Sequence, residues 1–261
     1  MKVEGRTFIV SGGSSGLGLA TVELLLGQKA HVAILDRSSP PETLGSSENV
    51  NFIKIDITEL SQIKNAVDLI IQWSKDVAAP LGGVINCAGV AVGAKTLNSA
   101  NEPHPLDLWD LAISVNLTGA FNLTRLVLQH LVKVDPEQTS DAERGVVIFV
   151  ASAAAFEGQP GQVAYAASKG GLVSMTLPMA RDLARHSVRV VTVAPGIFDS
   201  SMSVNLSAKA RRSLENDGTV YPKRFGQPQE FAKTVGWILD CPFVNGEVIR
   251  LSGAGRLPAK L

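Results

Sequence analysis

The chain has few cysteines and no net charge, and both features exclude classes of protein. Its 261 residues include only Cys87 and Cys241, which lack C-x-x-C spacing. Two isolated cysteines exclude a disulfide framework and suit a reducing compartment. Lysine plus arginine and aspartate plus glutamate both number 24. Without a basic field the chain is not expected to bind nucleic acid or an anionic membrane surface.

Other signals are also missing from the sequence. No apolar run approaches the length of a membrane span, so none is expected. The opening stretch MKVEGRTFIVSGG enters a predicted strand almost at once, which argues against an N-terminal targeting peptide. Histidine, cysteine and acidic residues show no metal-ligand spacing, so we expect no metal site. No break in composition divides the chain, and we expect one domain over residues 1–261.

Short β-branched runs alternate with longer helical patterns along the whole chain. The predicted strands are 7–10, 32–36, 51–56, 84–86, 146–152, 188–194 and 248–251. The predicted helices are 18–26, 60–76, 106–134, 163–185 and 228–239. This alternation predicts an α/β fold, a doubly wound parallel sheet of about seven strands with helices on both faces. Ligands bind at the carboxyl ends of such strands, so the loops 90–105 and 196–227 are candidates to line a site.

A glycine-rich turn, VSGGSSGLGLA, links the first predicted strand to the first helix. Gly12, Gly16 and Gly18 would allow a tight turn and a close approach of backbone N–H groups to a pyrophosphate. Asp36 ends the second strand, where a carboxylate can accept hydrogen bonds from an adenosine ribose and would repel a 2′-phosphate. The pattern predicts a Rossmann-type site that prefers NAD, although the neighbouring Arg37 could compensate for the acid.

The stretch AYAASKGG places Tyr165 four residues before Lys169. On a helix the two side chains share a face, and their small neighbours leave room for a flat molecule. A free tyrosine titrates near ~10, and an adjacent ammonium favours the phenolate. The pair could therefore supply a general base, or it could be a chance pair on an amphipathic helix.

Several motifs together resemble the short-chain dehydrogenase/reductase family. They are the three glycines, NCAG at 86–89, SVNLTGAF around Asn116, VIFVASAAA around Ser152, the Tyr165–Lys169 pair, and Pro195-Gly196. The resemblance covers the whole chain in the order typical of the family. Two positions depart from the usual pattern: Ser11 replaces a threonine and Cys87 replaces an asparagine.

The resemblance implies an NAD-dependent enzyme that interconverts a secondary alcohol and a ketone. It implies that Tyr165 moves the alcohol proton, Lys169 lowers the pKa of Tyr165, Ser152 binds the substrate oxygen and Asn116 anchors a relay water. Lowering the pKa of tyrosine to ~7 requires roughly 4 kcal/mol, which the lysine and an oxidised nicotinamide could supply together. Substrate contacts are implied for Ser152, Gln162 and Tyr165. The implied coenzyme contacts are Gly12, Ser15, Gly16, Leu17, Gly18, Asp36, Asp56, Ile57, Asn86, Cys87, Ala88, Gly89, Tyr165, Lys169, Pro195, Gly196, Phe198 and Ser200.

Three stretches resemble one branch of the family, the 3-hydroxyacyl-CoA dehydrogenases: NCAGVAVGAKTLN, AAFEGQPGQVAYAASKGGLVSMTLPMARDLA and NGEVIRLSGAGR. The implied substrate is an acyl-CoA, and helices 106–134 and 163–185 resemble those that pair subunits, which implies a homotetramer. A hydroxysteroid or secondary-metabolite alcohol dehydrogenase remains an alternative. A non-catalytic NAD-binding regulator is disfavoured, because a regulator need not keep the four catalytic residues.

The end of the chain resembles a targeting signal. Ala259-Lys260-Leu261 is similar to the Ser-Lys-Leu peroxisomal address, so a peroxisomal location is expected in a eukaryote, with cytoplasm or mitochondrion as alternatives. The basic residues Lys209, Arg211 and Arg212 could meet coenzyme A phosphates, although a solvated helix face is the commoner role for such a run.

Overall fold

Seven parallel strands form one sheet in the computed structural model, which describes residues 1–45, 47–200, 212, 214–215 and 218–256. The spatial order is β3-β2-β1-β4-β5-β6-β7. The predicted doubly wound parallel sheet of seven strands is therefore confirmed. The strands are β1 (Thr7–Ser11), β2 (His31–Asp36), β3 (Val50–Lys54), β4 (Leu81–Asn86), β5 (Gly145–Val150), β6 (Val188–Pro195) and β7 (Val248–Leu251).

Helices cover both faces of this sheet, because its central strands are apolar on both sides. The helices are α1 (Gly16–Gly27), α2 (Glu42–Gly45), α3 (Leu60–Asp76), α4 (Leu106–Ile113), α5 (Ala120–Leu131), α6 (Ala154–Glu157), α7 (Val163–Leu183) and α8 (Pro228–Asp240). One core layer packs α3, α5 and α7 through residues such as Ile70, Val127 and Leu172. The opposite layer packs α1 and α8 through Leu25 and Phe231.

The connections from β1 run in opposite directions to β2 and to β4. The carboxyl ends of these strands lie level, since Ser11 pairs with Leu35 on one side and with Asn86 on the other. In open α/β sheets such a reversal of strand order opens a crevice above the strand ends. The glycine turn after β1, Asp36 on β2 and the segment after β4 therefore meet at one edge.

The structure differs from the predicted elements in several places. Strand β4 begins at Leu81, three residues before the prediction, and β5 ends at Val150, so Ser152 lies in the following loop. The predicted helix 106–134 is interrupted by a π-helical turn, Ser114–Gly119, that contains Asn116. The two short helices α2 and α6 were not predicted.

One continuous helical segment, Leu106–Leu131, has the length and composition that a membrane span would need. Of its most apolar window, 44% is buried inside the protein, as in the core helix of many globular domains. Its inner residues Leu123 and Val127 are fully buried against the sheet and α3. The segment therefore carries no argument for a membrane.

Candidate active site

A cavity of about 400 Å³ opens above the carboxyl ends of the strands. Its wall runs from Asp36 on β2, across the glycine turn after β1, to Tyr165 on α7 and Gly196 after β6. Its size lies within the range of small-molecule sites. Of the residues predicted for the site, the wall contains Gly12, Ser15, Gly16, Leu17, Gly18, Asp36, Asp56, Ile57, Cys87, Ala88, Gly89, Ser152, Tyr165, Lys169, Pro195, Gly196, Phe198 and Ser200.

The glycine turn is packed too closely for side chains at two positions. A Cβ on Gly12 would lie 2.7 Å from the backbone nitrogen of Ala88, and Gly12 has φ +67°. A Cβ on Gly18 would lie 2.1 Å from the carbonyl oxygen of Gly12. Ser11 holds the same junction, because its hydroxyl accepts a hydrogen bond from the Ala88 N–H at 3.3 Å. These glycines bring bare backbone to the cavity wall, which a bound pyrophosphate requires.

The acid at the β2 end of the cavity is held by backbone donors. The two carboxylate oxygens of Asp36 accept hydrogen bonds from the N–H groups of Ser14 and Ser38, each at 3.0 Å. Arg37 is 74% exposed and lies 4.0 Å from Asp56, which also lines the cavity. Hydrogen bonds from the backbone and hydroxyl of Thr58 lower the pKa of Asp56. This end of the cavity therefore presents two carboxylates and one loosely held guanidinium.

Tyr165, Lys169 and Ser152 come together at the other end. Lys169 Nζ lies 5.9 Å from the centroid of the Tyr165 ring and donates a hydrogen bond to the Val150 carbonyl at 2.8 Å. Ser152 Oγ accepts a hydrogen bond from the Ala154 N–H at 3.1 Å. The one-turn spacing on α7 thus places the phenol and the ammonium side by side, as predicted.

Burial shifts the titration of these groups. It raises the pKa of Tyr165, an effect that a hydrogen bond with the Ser152 side chain partly offsets. It lowers the pKa of Lys169 to about 8, although the nearby Cys87 acts in the opposite direction. Burial also raises the pKa of the Cys87 thiol to about 12, so Cys87 is neutral at physiological pH. The ammonium of Lys169 is consequently the cation beside Tyr165 at neutral pH.

Three predicted site residues do not line the cavity. Asn86 is buried in the sheet, where its amide donates to the Thr124 hydroxyl at 3.1 Å. Asn116 is also buried, and its amide bonds to both backbone groups of Val90. Gln162 precedes α7, and its side-chain oxygen accepts a hydrogen bond from the Gln159 N–H at 2.8 Å. These side chains hold the walls of the site rather than form them.

Other wall residues were not predicted as contacts. They are apolar, apart from Arg37, and all lie at or just after strand ends except Val115, which lies in the π-helical turn: Leu35, Arg37, Ile55, Val90, Val115, Val150, Ala151 and Ile197. Most of them are next to a predicted contact in the sequence. Their position at strand ends near the switch point could therefore have identified them as wall residues. A dinucleotide fits this arrangement of polar groups, with bare backbone in the middle, carboxylates at one end and a phenol–ammonium pair at the other.

The chain is similar to a known protein family and to several of its members. The family model for the short chain dehydrogenases matches residues 6–211. The chain belongs to this family. The 3-hydroxyacyl-CoA dehydrogenase type-2 of Homo sapiens is 42% identical over 262 residues, with 98% of this chain and 97% of that protein covered. The protein of the same name from Drosophila melanogaster is 39% identical over 259 residues, with 98% and 99% covered.

A solved structure shares the fold of this short-chain dehydrogenase. The crystal structure of 3-hydroxyacyl-CoA dehydrogenase type-2 from Mycobacterium avium matches with a TM-score of 0.89 and 31% sequence identity, and 98% of each chain is covered. Family membership and these relatives make the protein an oxidoreductase that acts on CH–OH groups. Its cavity is therefore the candidate active site.

Proposed function

We propose that this dehydrogenase uses NAD to interconvert 3-hydroxyacyl-CoA and 3-ketoacyl-CoA in fatty-acid β-oxidation. The observation that carries the proposal is the convergence of Tyr165, Lys169 and Ser152 on the cavity that the glycine turn and Asp36 also line. The names of the relatives given above support an acyl-CoA substrate, because fold and catalytic groups alone do not specify one.

The coenzyme would be held along the wall by the glycine turn, Asp36 and Asp56. The negative charge of Asp36 at the end of β2 favours a ribose with free hydroxyls over a 2′-phosphate. Arg37 is mostly solvent-exposed, so its charge is screened and offsets the acid only in part. These features support NAD as the preferred coenzyme.

The chain's own residues would move the proton. Tyr165 would take the alcohol proton in oxidation and return it in reduction. A bound nicotinamide would accept or supply the hydride. Lys169 stays protonated below about pH 8 and stabilises the tyrosinate against the effect of burial. Ser152 would donate a hydrogen bond to the substrate oxygen as its charge develops.

Asn116 would contribute to proton relay through a water molecule. Its side-chain oxygen accepts a hydrogen bond from the Val90 N–H at 2.8 Å, and its side-chain nitrogen donates to two protein acceptors. Since these bonds use both N–H hydrogens of the amide, we propose that the water bonds to the backbone of the π-helical turn rather than to the amide nitrogen. Asn116 would then act by shaping that turn.

A substrate panel tests the proposal. With NADH, kcat/KM for acetoacetyl-CoA and longer 3-ketoacyl-CoAs should exceed that for steroid ketones and simple ketones. A tenfold preference for a steroid corresponds to about 1.4 kcal/mol of transition-state stabilisation and would favour a hydroxysteroid dehydrogenase instead. Turnover of none of these compounds would favour the non-catalytic alternative. The basic residues Lys209 and Arg211, named above for coenzyme A, lie outside the described part of the chain.

A homotetramer is proposed from the same relationship. Helices α4, α5 and α7 leave large apolar side chains in solvent: Leu106, Trp109, Phe121, Val163 and Leu177. Such exposure on neighbouring helices is typical of a surface that another chain covers. Light scattering after size exclusion should give four times the 27.5 kDa chain mass, and Leu177→Lys should reduce it. A monomeric wild-type protein would contradict the proposal.

We also propose a peroxisomal location in a eukaryotic cell. The proposal rests on Ala259-Lys260-Leu261, which lies outside the described residues, and on its agreement with acyl-CoA oxidation. A fluorescent reporter that carries the last ten residues should appear in peroxisomes and become diffuse when Leu261 is deleted. A reporter that is diffuse with and without Leu261 would contradict the assignment.

A further inference from the structure

We propose that Ser168 is a positioning residue that connects Asn116 to the first turns of α7 and so sets Tyr165 against Lys169. This inference rests on the proposed role of Tyr165 as the proton-transferring group. Ser168 lies between Tyr165 and Lys169 in the sequence, but it is fully buried and does not line the cavity.

The hydroxyl of Ser168 makes two hydrogen bonds. Its oxygen accepts one from Asn116 Nδ2 at 3.0 Å, and its hydrogen is donated to the carbonyl oxygen of Tyr165 at 2.8 Å. A serine hydroxyl has one proton to donate, so its donor is fully used. No other side chain in the described residues bonds to both Asn116 and the Tyr165 backbone.

Asn116 connects Ser168 to a wall residue of the site, Val90. Its side-chain oxygen accepts from the Val90 N–H at 2.8 Å, and its nitrogen donates to the Val90 carbonyl at 3.0 Å. Val90 is itself a wall residue that follows β4. The chain of bonds therefore runs from the wall after β4, through the π-helical turn, to α7.

Tyr165 needs such an anchor because of its place in the helix. It is the third residue of α7, within the turn whose N–H groups lack intrahelical partners and which most readily frays. Lys169 is fixed independently, since its Nζ is bound to the Val150 carbonyl on β5. Loss of the Ser168 bond would release the phenol while the ammonium stays in place, and the two would separate.

Among the residues that the structure describes, few ionisable groups surround Tyr165 and Lys169. Lys169 lies on the same helix and the neutral Cys87 faces it from the end of β4, whereas Asp36, Arg37 and Asp56 lie at the far end of the cavity. Ser152, after β5, is hydrogen-bonded to Tyr165. Moving Tyr165 away from Lys169 therefore weakens the attraction between this cation and the tyrosinate, and the apparent pKa of Tyr165 rises.

The test compares Ser168→Ala with a matched variant on the same helix. Thr176 is also fully buried, and its hydroxyl bonds to the Leu172 carbonyl at 2.9 Å and to the Thr192 hydroxyl at 2.6 Å. Thr176→Val thus removes a hydroxyl that also makes two hydrogen bonds, two helical turns beyond the site. The substrate is the 3-hydroxyacyl-CoA that the wild type turns over, with NAD, and kcat, KM, coenzyme affinity, Tm and the pH profile of kcat/KM are measured.

We expect Ser168→Ala to lower kcat about tenfold and to move the limb of the pH profile that reports base ionisation to higher pH. Coenzyme affinity should change little. Thr176→Val should lower Tm about as much as Ser168→Ala does, but it should leave the pH profile of kcat/KM unchanged. Ser168→Cys keeps a buried side chain with a weak hydrogen-bond donor, so its kcat and pH profile should lie between those of the wild type and Ser168→Ala. This variant keeps the test valid if Ser168→Ala folds poorly.

Two results would overturn the inference, and Tyr165→Phe distinguishes them. If Tyr165→Phe loses turnover while Ser168→Ala and Ser168→Cys keep the wild-type profile, Ser168 is a packing residue only. If Tyr165→Phe retains wild-type turnover, the proposed function of the site fails and the role of Ser168 fails with it.

Discussion

Replacing Asp36 by alanine should reduce the preference for NAD over NADP. The carboxylate lies at the β2 end of the cavity, held by the backbone N–H groups of Ser14 and Ser38 at 3.0 Å. A 2′-phosphate about 4 Å away would be repelled by about 4 kcal/mol per unit charge at an effective dielectric of ~20. Solvent and Arg37 reduce this value, and about 2.7 kcal/mol corresponds to a factor of ~10².

Steady-state kinetics with both coenzymes measures this effect. The wild type should prefer NAD by ~10²-fold or more in kcat/KM, and Asp36→Ala should lower the ratio to below about tenfold. Asp36→Asn is the matched control for hydrogen bonding, because it removes the charge and keeps one acceptor oxygen. It should narrow the ratio as well, with a smaller loss of NAD-dependent activity. Equal use of the two coenzymes by the wild type would refute the reasoning and show that Arg37 outweighs the acid.

Two further predictions concern stability. Arg189→Met should cost about 3 kcal/mol in urea unfolding, because it removes the guanidinium 2.7 Å from the buried Glu143 carboxylate and leaves the N-terminal ammonium of Met1, 3.5 Å away, to balance that charge. Lys29→Met, at an exposed ion pair, is the control and should change the free energy of unfolding little, and equal effects would refute the role of burial. Hydrogen bonding to Arg224 lowers the pKa of Glu230 from 4.5 to about 2, so its contribution to stability is complete above about pH 4.5 and lost as pH falls through about 2. Urea midpoints across this window should fall faster for the wild type than for Glu230→Gln, and parallel curves would contradict the assignment.

Local sequence patterns predicted the sheet because its strands are apolar on both faces and alternate with helices. They missed the start of β4, where Gly82 and Gly83 do not favour a strand. The structure explains these glycines by contacts distant in sequence. A Cβ at Gly82 would lie 2.5 Å from the Phe8 ring, and one at Gly83 would lie 2.2 Å from the Val146 carbonyl. A position where close packing allows only glycine cannot be recognised until the neighbouring strands have been placed.

The site was also predictable in part from the sequence. The glycine turn, Asp36 and the Tyr165–Lys169 pair follow from spacing at strand and helix ends, and all of them line the cavity. The π-helical turn at Asn116 was not predictable, since it accompanies hydrogen bonds to Val90, 26 residues earlier. Tertiary bonds of buried polar side chains leave no periodic signal in the sequence.

The Tyr165→Phe variant tests the central claim most directly. The substitution removes only the hydroxyl that is proposed to carry the proton and keeps the ring beside Lys169. With NADH and acetoacetyl-CoA, kcat should fall at least ~10²-fold, the lower range for loss of a general acid. NADH affinity, measured by fluorescence titration, should remain close to that of the wild type. A kcat near the wild-type value would contradict the account.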